Sequence, residues 1–402
     1  MLRGFVEKYR SSAFLQQHPV EERLAHYNRL RGIFGALTPA KVTDSLDLQT
    51  TLLVAASKTE NIVVMRFQLE EQPPHKLSYI TFSGIDRMDV PDEYVDYVAT
   101  RAAPVSDELR ESTSRAVAQA IRDVYVYPEL ARSMADTLLH HQARGDYKGL
   151  KRAGVLADKL TEDAVTVSKD LHVWVEAQNP MVQVSSDPVN RDASELRQDN
   201  FGLREARLLS GNIGYVKFDM TIDSEEAKRA MVATLAKVTG CEALILDLRD
   251  NIGGEWGTAG VVLGYLLPAG SIVGRIFDRQ GALVEERVVP SVTPGEAFDA
   301  SMPVYVLTSE RTGSAAEALA YTLKHMGRAT IVGVVTRGMA HPSQELVVNE
   351  YFRVSIPYLR SENVKTGTDW EGVGVIPDVK VSEGDALATA VREALRRIGS
   401  DP

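Results

Sequence analysis

The sequence predicts a multidomain α/β protein: an N-terminal α+β unit, a small helical bundle, then a larger α/β core on a mixed sheet. Three observations carry this. The 402 residues exceed the roughly 150 of one typical domain more than twofold. The composition, 44% hydrophobic and 25% charged, is that of a folded globular chain and sets disorder aside. The apolar pattern also changes twice, to helical periodicity after residue 107 and to alternating strand and helix segments from residue 200 onward.

In chain order, residues 17 to 34 place Val20, Leu24, Tyr27, Leu30, Ile33 and Phe34 at helical spacing, with Gly35 as a stop. Strand-like runs follow at Leu48 to Ser57, Asn61 to Glu70 and Lys76 to Ser83, broken by Pro73 and Pro74. A helix and a meander make an accessory α+β domain over 1–88, shaped like the curved sheet around a helix of cystatin or nuclear-transport-factor folds. Its histidines His18, His26 and His75 have no chemical partner in sequence. The polar stretch with two prolines over 89–106 reads as a linker.

The helical segment, 107–178, contains amphipathic runs at Glu111 to Tyr125, Pro128 to His140 and Tyr147 to Asp170. The last domain, 179–402, begins its alternation with a strand at Gly214 to Phe218, a helix at Ser224 to Thr239 and a strand at Ala243 to Leu248. A helix after Gly257, a strand at Pro303 to Leu307, a helix at Ser314 to Met326 and a strand at Thr330 to Val335 continue it, with further strands near Leu346 and Phe352. Such alternation implies a parallel or mixed sheet covered by helices.

With 45 Lys+Arg against 55 Asp+Glu, the net charge is −10, which argues against nucleic acid as a partner. Cys241 is the only cysteine, so no intramolecular disulfide forms, which fits a reducing compartment. Charges at Arg3, Glu7, Lys8 and Arg10 interrupt any secretory h-region. No run approaches 18 apolar residues, so no membrane span is expected, and the expected location is cytoplasmic. Whether the chain forms a homo-oligomer stays open.

Four segments could carry chemistry. Ser314 opens a helix after an apolar strand, where unpaired N–H groups and the helix dipole favour an oxyanion; with Glu317 three residues on, it also reads as a plain capping box. The strand Leu246 to Leu248 runs into Gly253 and Gly254, a turn that exposes backbone N–H groups or simply makes a tight connection. His172, after Ser168 and Asp170, is a general base or an ordinary helix-end histidine. Glu371 lies in a glycine-rich loop with Trp370, where it orients a histidine or is a solvated turn acid.

Together, the DLRxNxGG pattern from Asp247, the Ser314-Ala-Ala-Glu helix start, the segment from Gly333 through His341 to Pro342, and Trp370-Glu-Gly-Val-Gly-Val-Ile-Pro-Asp resemble the tail-specific (C-terminal processing) serine peptidase superfamily. The branch resembled most is that of interphotoreceptor retinoid-binding protein and the tricorn-like peptidases. That resemblance implies a crotonase-like α/β catalytic core with Ser314 as nucleophile and Glu317 as the acid that follows it in the same helix. Gly253 or Gly254, with Ala315, would form the oxyanion hole. In the tail-specific peptidases proper a lysine downstream of the serine is the base; the matching position here is Met339, so the Ser-Lys dyad is missing. The tricorn-like pattern instead assigns His172 as base and Glu371 as supporting acid, with Asp170 or Ser168 as supports and His341 as the rival base.

The expected function is therefore a serine hydrolase, most of all a peptidase, acting through an acyl-enzyme on a peptide or small acyl substrate, with neither metal nor cofactor. Two alternatives stand beside it. One is a non-hydrolytic binder of an apolar small molecule such as a retinoid or fatty acid; the other is a repurposed acyl-transfer or biosynthetic enzyme. No peptide-binding PDZ module is recognisable in the sequence, which departs from the processing peptidases.

Overall fold

In the computed structural model, residues 103–178, 196–197, 199–292 and 297–399 are described in full, with Val20, Glu21, Leu24 and the backbone of four strands before them. The chain divides into two compact units, one of residues 1–106, 149–156 and 177–182, the other of 107–148, 157–176 and 183–402.

The first unit contains strands β1 (Leu37–Leu46), β2 (Gln49–Ala56), β3 (Ile62–Leu69) and β4 (Leu77–Gly84), an antiparallel meander in sequence order. β2, β3 and β4 fall within one or two residues of the runs read from sequence. β1 was not foreseen, because Pro39 and few apolar residues mask it; it is an edge strand whose register shifts at Pro39/Lys41. Of the helix expected over 17–34, the described residues Val20, Glu21 and Leu24 are helical. The remainder, His18, His26, His75 and most of the linker lie outside the described residues.

Next in sequence come helices α1 (Asp107–Val124), α2 (Pro128–Arg144) and α3 (Ala153–Ser168). Pro128 opens α2, and Gly145, at φ 87°, closes it with its N–H on the carbonyls of His141 and Gln142. The expected start of the third helix at Tyr147 is displaced to Ala153, because Gly145 and Gly149 (φ 89°) turn the chain first.

The second unit is built on a six-stranded mixed sheet, β6 (Leu203–Leu209), β7 (Ile213–Phe218), β8 (Ala243–Asp247), β11 (Val304–Thr308), β12 (Thr330–Gly333) and β16 (Val379–Lys380). Their spatial order is β16-β12-β11-β8-β7-β6, parallel throughout except for the antiparallel pair β6 and β7. Helices α4 (Glu225–Ala236), α5 (Gly257–Leu266), α6 (Ser314–His325) and α7 (Ala386–Arg397) cover it. Burial on both faces explains why β8 and β11 read as unbroken apolar runs. Leu244, Leu246, Val304 and Val306 join the core with α4, α5 and α6. Ala243, Ile245, Tyr305 and Leu307 face Ala386, Ala390 and Ala394 of α7 instead.

Two three-stranded sheets complete the unit. β9 (Ile272–Phe277) lies between β10 (Leu283–Val288) and β15 (Arg360–Asn363), and β14 (Phe352–Pro357) lies between β13 (Ser343–Asn349) and β5 (Trp174–Ala177). β6, β9, β10, β15 and α7 were not foreseen. Leu-Arg-Glu-Ala-Arg and Leu-Val-Glu-Glu-Arg place charges where a buried strand would have apolar residues; both strands sit at sheet edges and are largely exposed. Among the described residues no helix is long and apolar enough to cross a membrane.

Candidate active site

The parallel strands β8 and β11 end side by side, and the loops beyond their carboxyl ends are locked together. Thr312 Oγ1 donates to the Leu248 carbonyl at 2.7 Å, the Gly313 N–H to the Asn251 carbonyl at 3.0 Å, and the Ser309 hydroxyl to the Arg249 carbonyl. Buried Asn251 ties both loops to β7, since its Nδ2 donates to the Phe218 carbonyl at 3.0 Å while its Oδ1 accepts the Gly253 N–H at 2.9 Å. This explains the Asp-Leu-Arg-Asp-Asn-Ile-Gly-Gly run: its polar members bond backbone, and its glycines fit where a side chain cannot. A Cβ on Gly253 (φ 104°) would lie 2.7 Å from Ser314 Cβ, and one on Gly254 (φ 127°) 2.2 Å from the Thr221 carbonyl oxygen.

Ser314 starts α6 at φ 49°, a left-handed conformation that a non-glycine residue holds only under constraint. Glu317 supplies that constraint. Buried in the first turn of the helix, its Oε2 accepts the Ser314 N–H at 2.8 Å and the Met339 N–H at 2.9 Å. Its Oε1 accepts the Gly338 N–H at 2.6 Å and the Thr336 hydroxyl at 2.5 Å. Burial pushes this carboxyl above its usual pKa while the four donors pull it down. Glu317 thus holds the 336–339 segment against the helix start, and Met339 enters the site through its backbone.

His172 reaches the serine from the other side, its Nε2 3.2 Å from Ser314 Oγ. Lys169 at φ 61° turns the chain out of α3, and the His172 N–H donates to Asp170 Oδ1 at 3.0 Å. His172 Nδ1 is buried without a hydrogen-bond partner, 3.9 Å from Asp170 Oδ1. Burial lowers the His172 pKa to about 4, against the charge of Asp170, so the imidazole is neutral near pH 7.

Behind His172 lies a buried proton network. Asp170 Oδ2 accepts from the Tyr125 hydroxyl at 3.1 Å and from His341 Nδ1 at 2.7 Å. His341 Nδ1 is also 3.5 Å from Glu371 Oε2, and its Nε2 lies 3.7 Å from Asp369 Oδ2 and 3.5 Å from the Tyr127 hydroxyl. Burial alone would lower the His341 pKa, but these carboxylates raise it to about 10. Burial and the charge of Asp170 raise Glu371 to about 8. Asp170, despite burial, is held below the usual range by His341. The network therefore carries a protonated His341, an ionised Asp170 and a protonated Glu371 at neutral pH.

The sequence-derived residues accordingly separate. Ser314, His172, Asp170 and Glu317 come together around the helix start, and Ser168 Oγ accepts the Asp170 N–H at 3.2 Å. Glu371 Oε2 accepts the Ala340 N–H at 2.6 Å, and its Oε1 is buried without a partner. His341 is bonded to Asp170, its Nδ1 turned to the carboxylate. Gly253 spends its N–H on Asn251, whereas the Gly254 and Ala315 N–H groups have no partner among the described residues and line a cavity of about 160 Å³ with Ser314. Tyr125, Tyr127, Asp369, Asn251 and Thr336 were not singled out from sequence. No local pattern around Tyr125 and Tyr127 marks a hydroxyl bound for Asp170 or His341.

One ligand atom each from Asp170, His172 and Glu371 lies within 4.8 Å of the others, close enough to hold a cation. In this arrangement Asp170 instead bonds Tyr125 and His341, and His172 Nε2 faces the serine. The set is suited to moving a proton: a neutral imidazole on a hydroxyl, carboxyl groups behind it, and free N–H groups beside the oxygen.

Comparison with known proteins relates the region that holds Ser314 to a peptidase family. Residues 212–381 match the family model of Peptidase family S41. The C-terminal processing peptidase of Tetradesmus obliquus is 28% identical over 194 residues, 47% of this chain and 39% of that protein. Carboxyl-terminal-processing peptidase 2 of Arabidopsis thaliana is 31% identical over 171 residues, 42% of this chain and 32% of that protein. The chain thus spans less than half the length of these relatives. A solved structure from Parabacteroides merdae shares the fold with a TM-score of 0.51 at 18% identity, over 72% of this chain and 96% of that one.

Proposed function

We propose, from the match of residues 212–381 to Peptidase family S41 and the likeness to C-terminal processing peptidases, that this chain is a tail-specific (C-terminal processing) serine peptidase acting through an acyl-enzyme on Ser314, with His172 as base. The observation that carries this reading is the 3.2 Å contact between His172 Nε2 and Ser314 Oγ, made by residues 142 positions apart, with Ser314 lining a cavity. The proposed core is the crotonase-like α/β domain, following the accessory, linker and helical segments read from sequence.

The chemistry follows from the positions of the groups. Ser314 Oγ attacks the scissile carbonyl as its proton passes to His172 Nε2, and the carbonyl π pair moves onto oxygen. The Ala315 and Gly254 N–H groups stabilise that oxyanion, a role that favours Gly254 over Gly253 because Asn251 already occupies the Gly253 donor. The C–N bond then breaks with the proton returning from His172 to the departing amine, and water attacks the ester by the reverse route. A base of this kind needs its proton on Nδ1, where Asp170 Oδ1 at 3.9 Å is the nearest ionised acceptor. Asp170 and Glu371 back His172 as a pair: Asp170 carries the charge, and Glu371, whose Oε1 is buried without a partner, stands as the supporting acid. His341, cationic and bonded to Asp170, is assigned as a positioning group.

The test is covalent labelling by a fluorophosphonate probe. Wild type is expected to label at Ser314, with Ser314→Ala silent and His172→Ala slowed more than a hundredfold, within the range for loss of a general base. Saturable retinoid or fatty-acid binding with no labelling would favour the apolar-binder reading. A product formed without incorporated water would favour acyl transfer.

A further inference from the structure

Resting on the serine-hydrolase reading above, we infer that the cavity beside Ser314 is an acyl-side pocket for a carboxylate-bearing side chain, with Arg287 as the group that receives it. The cavity wall includes Ser314, Ala315, Trp256, Arg275, Arg287 and Glu362. Arg287 is the unusual member. Its side chain is only 20% exposed, its guanidinium carbon sits 4.3 Å from the centre of the Trp256 ring, and its Nε is buried with no hydrogen-bond partner. Among the described residues its ion contact is Glu285, at 3.7 Å, beyond hydrogen-bond reach, with the Asp223 carboxylate acting on its charge from farther off. A buried guanidinium so weakly paired is costly unless something else supplies acceptors.

Of the other charged groups, Arg275 pairs with Glu286 at 3.1 Å and Glu255, also on the wall, accepts the Asp223 N–H at 2.6 Å, while Glu362 has only the same long kind of contact as Arg287, to Arg360 at 3.7 Å. Opposite Arg287 in the antiparallel pair stands Gly274, where an added Cβ would come within 3.8 Å of Arg287 Cβ. Trp256 packs its ring against the guanidinium, whose planar fork matches a carboxylate. Because the cavity also contains the nucleophile and Ala315 of the oxyanion site, a group seated in it belongs to the residue whose carbonyl Ser314 attacks. The cavity volume of about 160 Å³ suits a side chain. An aspartate or glutamate side chain meets all of these conditions.

The experiment is competition against fluorophosphonate labelling of the full chain by acetyl-tripeptide aldehydes that differ in their last residue. An aspartal is expected to block labelling at about tenfold to hundredfold lower concentration than the alaninal, the range for a charge-assisted pair, and a lysinal to compete less well than the alaninal. Arg287→Gln is expected to bring the aspartal-to-alaninal ratio near one, and Arg287→Lys to keep part of it. The ratio is read within each variant, so a general change in labelling rate cancels. Equal potency of aspartal and alaninal in wild type, or a preference that survives Arg287→Gln, overturns the inference. So does an Arg287-dependent response to a free tripeptide α-carboxylate in place of the aspartal side chain. The wild-type series alone decides if Arg287→Gln does not fold. Absence of wild-type labelling would instead overturn the hydrolase reading beneath it.

Discussion

Replacing Glu317 by Gln keeps the side chain's shape and removes only its ability to accept at both ends. In the native site Oε2 receives the Ser314 and Met339 N–H groups, and Oε1 receives the Gly338 N–H and the Thr336 hydroxyl. A glutamine must turn its NH₂ toward one of these pairs. Toward the first, two buried N–H groups face a donor. Toward the second, only the Gly338 N–H is orphaned, since Thr336 Oγ1 can accept; but that oxygen already takes the Val375 N–H at 2.7 Å and would have to turn its own proton elsewhere. At about 1–3 kcal/mol for each buried unsatisfied donor, with charge assistance also lost from the remaining bonds, Glu317→Gln is expected to cost about 2–5 kcal/mol. That is a large part of the 5–15 kcal/mol typical of a folded unit. Urea unfolding at neutral pH, followed on the transition of the unit that contains residue 317, measures it. Fluorophosphonate labelling should slow in parallel, because the Ser314 N–H loses its anchor. A loss below about 1 kcal/mol with labelling unchanged would refute the claim that this carboxylate organises the site.

Other expectations follow from the same geometry. Ser314 at φ 49° is strained, so the inactive Ser314→Gly should be more stable than the inactive Ser314→Ala by about 1 kcal/mol; equal or reversed midpoints in urea would count against the strain. Gly254→Ala would drive a Cβ to 2.2 Å from a backbone oxygen, and it should reduce labelling by more than tenfold, with an unaffected rate arguing against this turn as part of the oxyanion site. With the neutral base form of His172 retained down to about pH 4 by burial, the labelling rate should rise through about pH 4 and be flat by pH 6; a midpoint near 6.5 would show an ordinary exposed histidine. His341, raised to about 10, binds its proton more tightly folded than unfolded, so its stabilisation is complete below about pH 6.5 and is lost as pH rises through about 10. His341→Gln should flatten that alkaline decline in the unfolding midpoint, and an unchanged slope would place the decline elsewhere.

By itself the sequence determined much of the local structure. Alternating apolar runs marked β7, β8, β11 and β12 to within a few residues, since strands buried on both faces need unbroken apolar residues and helices between them need a periodic face. Helix α7 was equally legible in its 386, 390, 394 stripe, although it was passed over. Local signals also marked Ser314, Glu317, His172, Asp170 and the glycine pair, because a left-handed turn, a helix start and a helix end each leave a pattern within a few positions. The tertiary structure decided how these residues combine. The contact from His172 to Ser314 spans 142 positions, and that from His341 to Asp170 spans 171; closeness of that kind depends on which strands pair, and no local spacing encodes it. The tertiary structure also gave Glu317 its four donors, committed the Gly253 N–H to Asn251, and left Arg287 weakly paired beside Trp256. Burial separates the proton affinities of the two histidines as well. His172 loses solvent with its Nδ1 unpartnered, while His341 loses solvent among three carboxyl groups, so two residues of one kind differ in pKa by several units for reasons that exist only once the chain is folded.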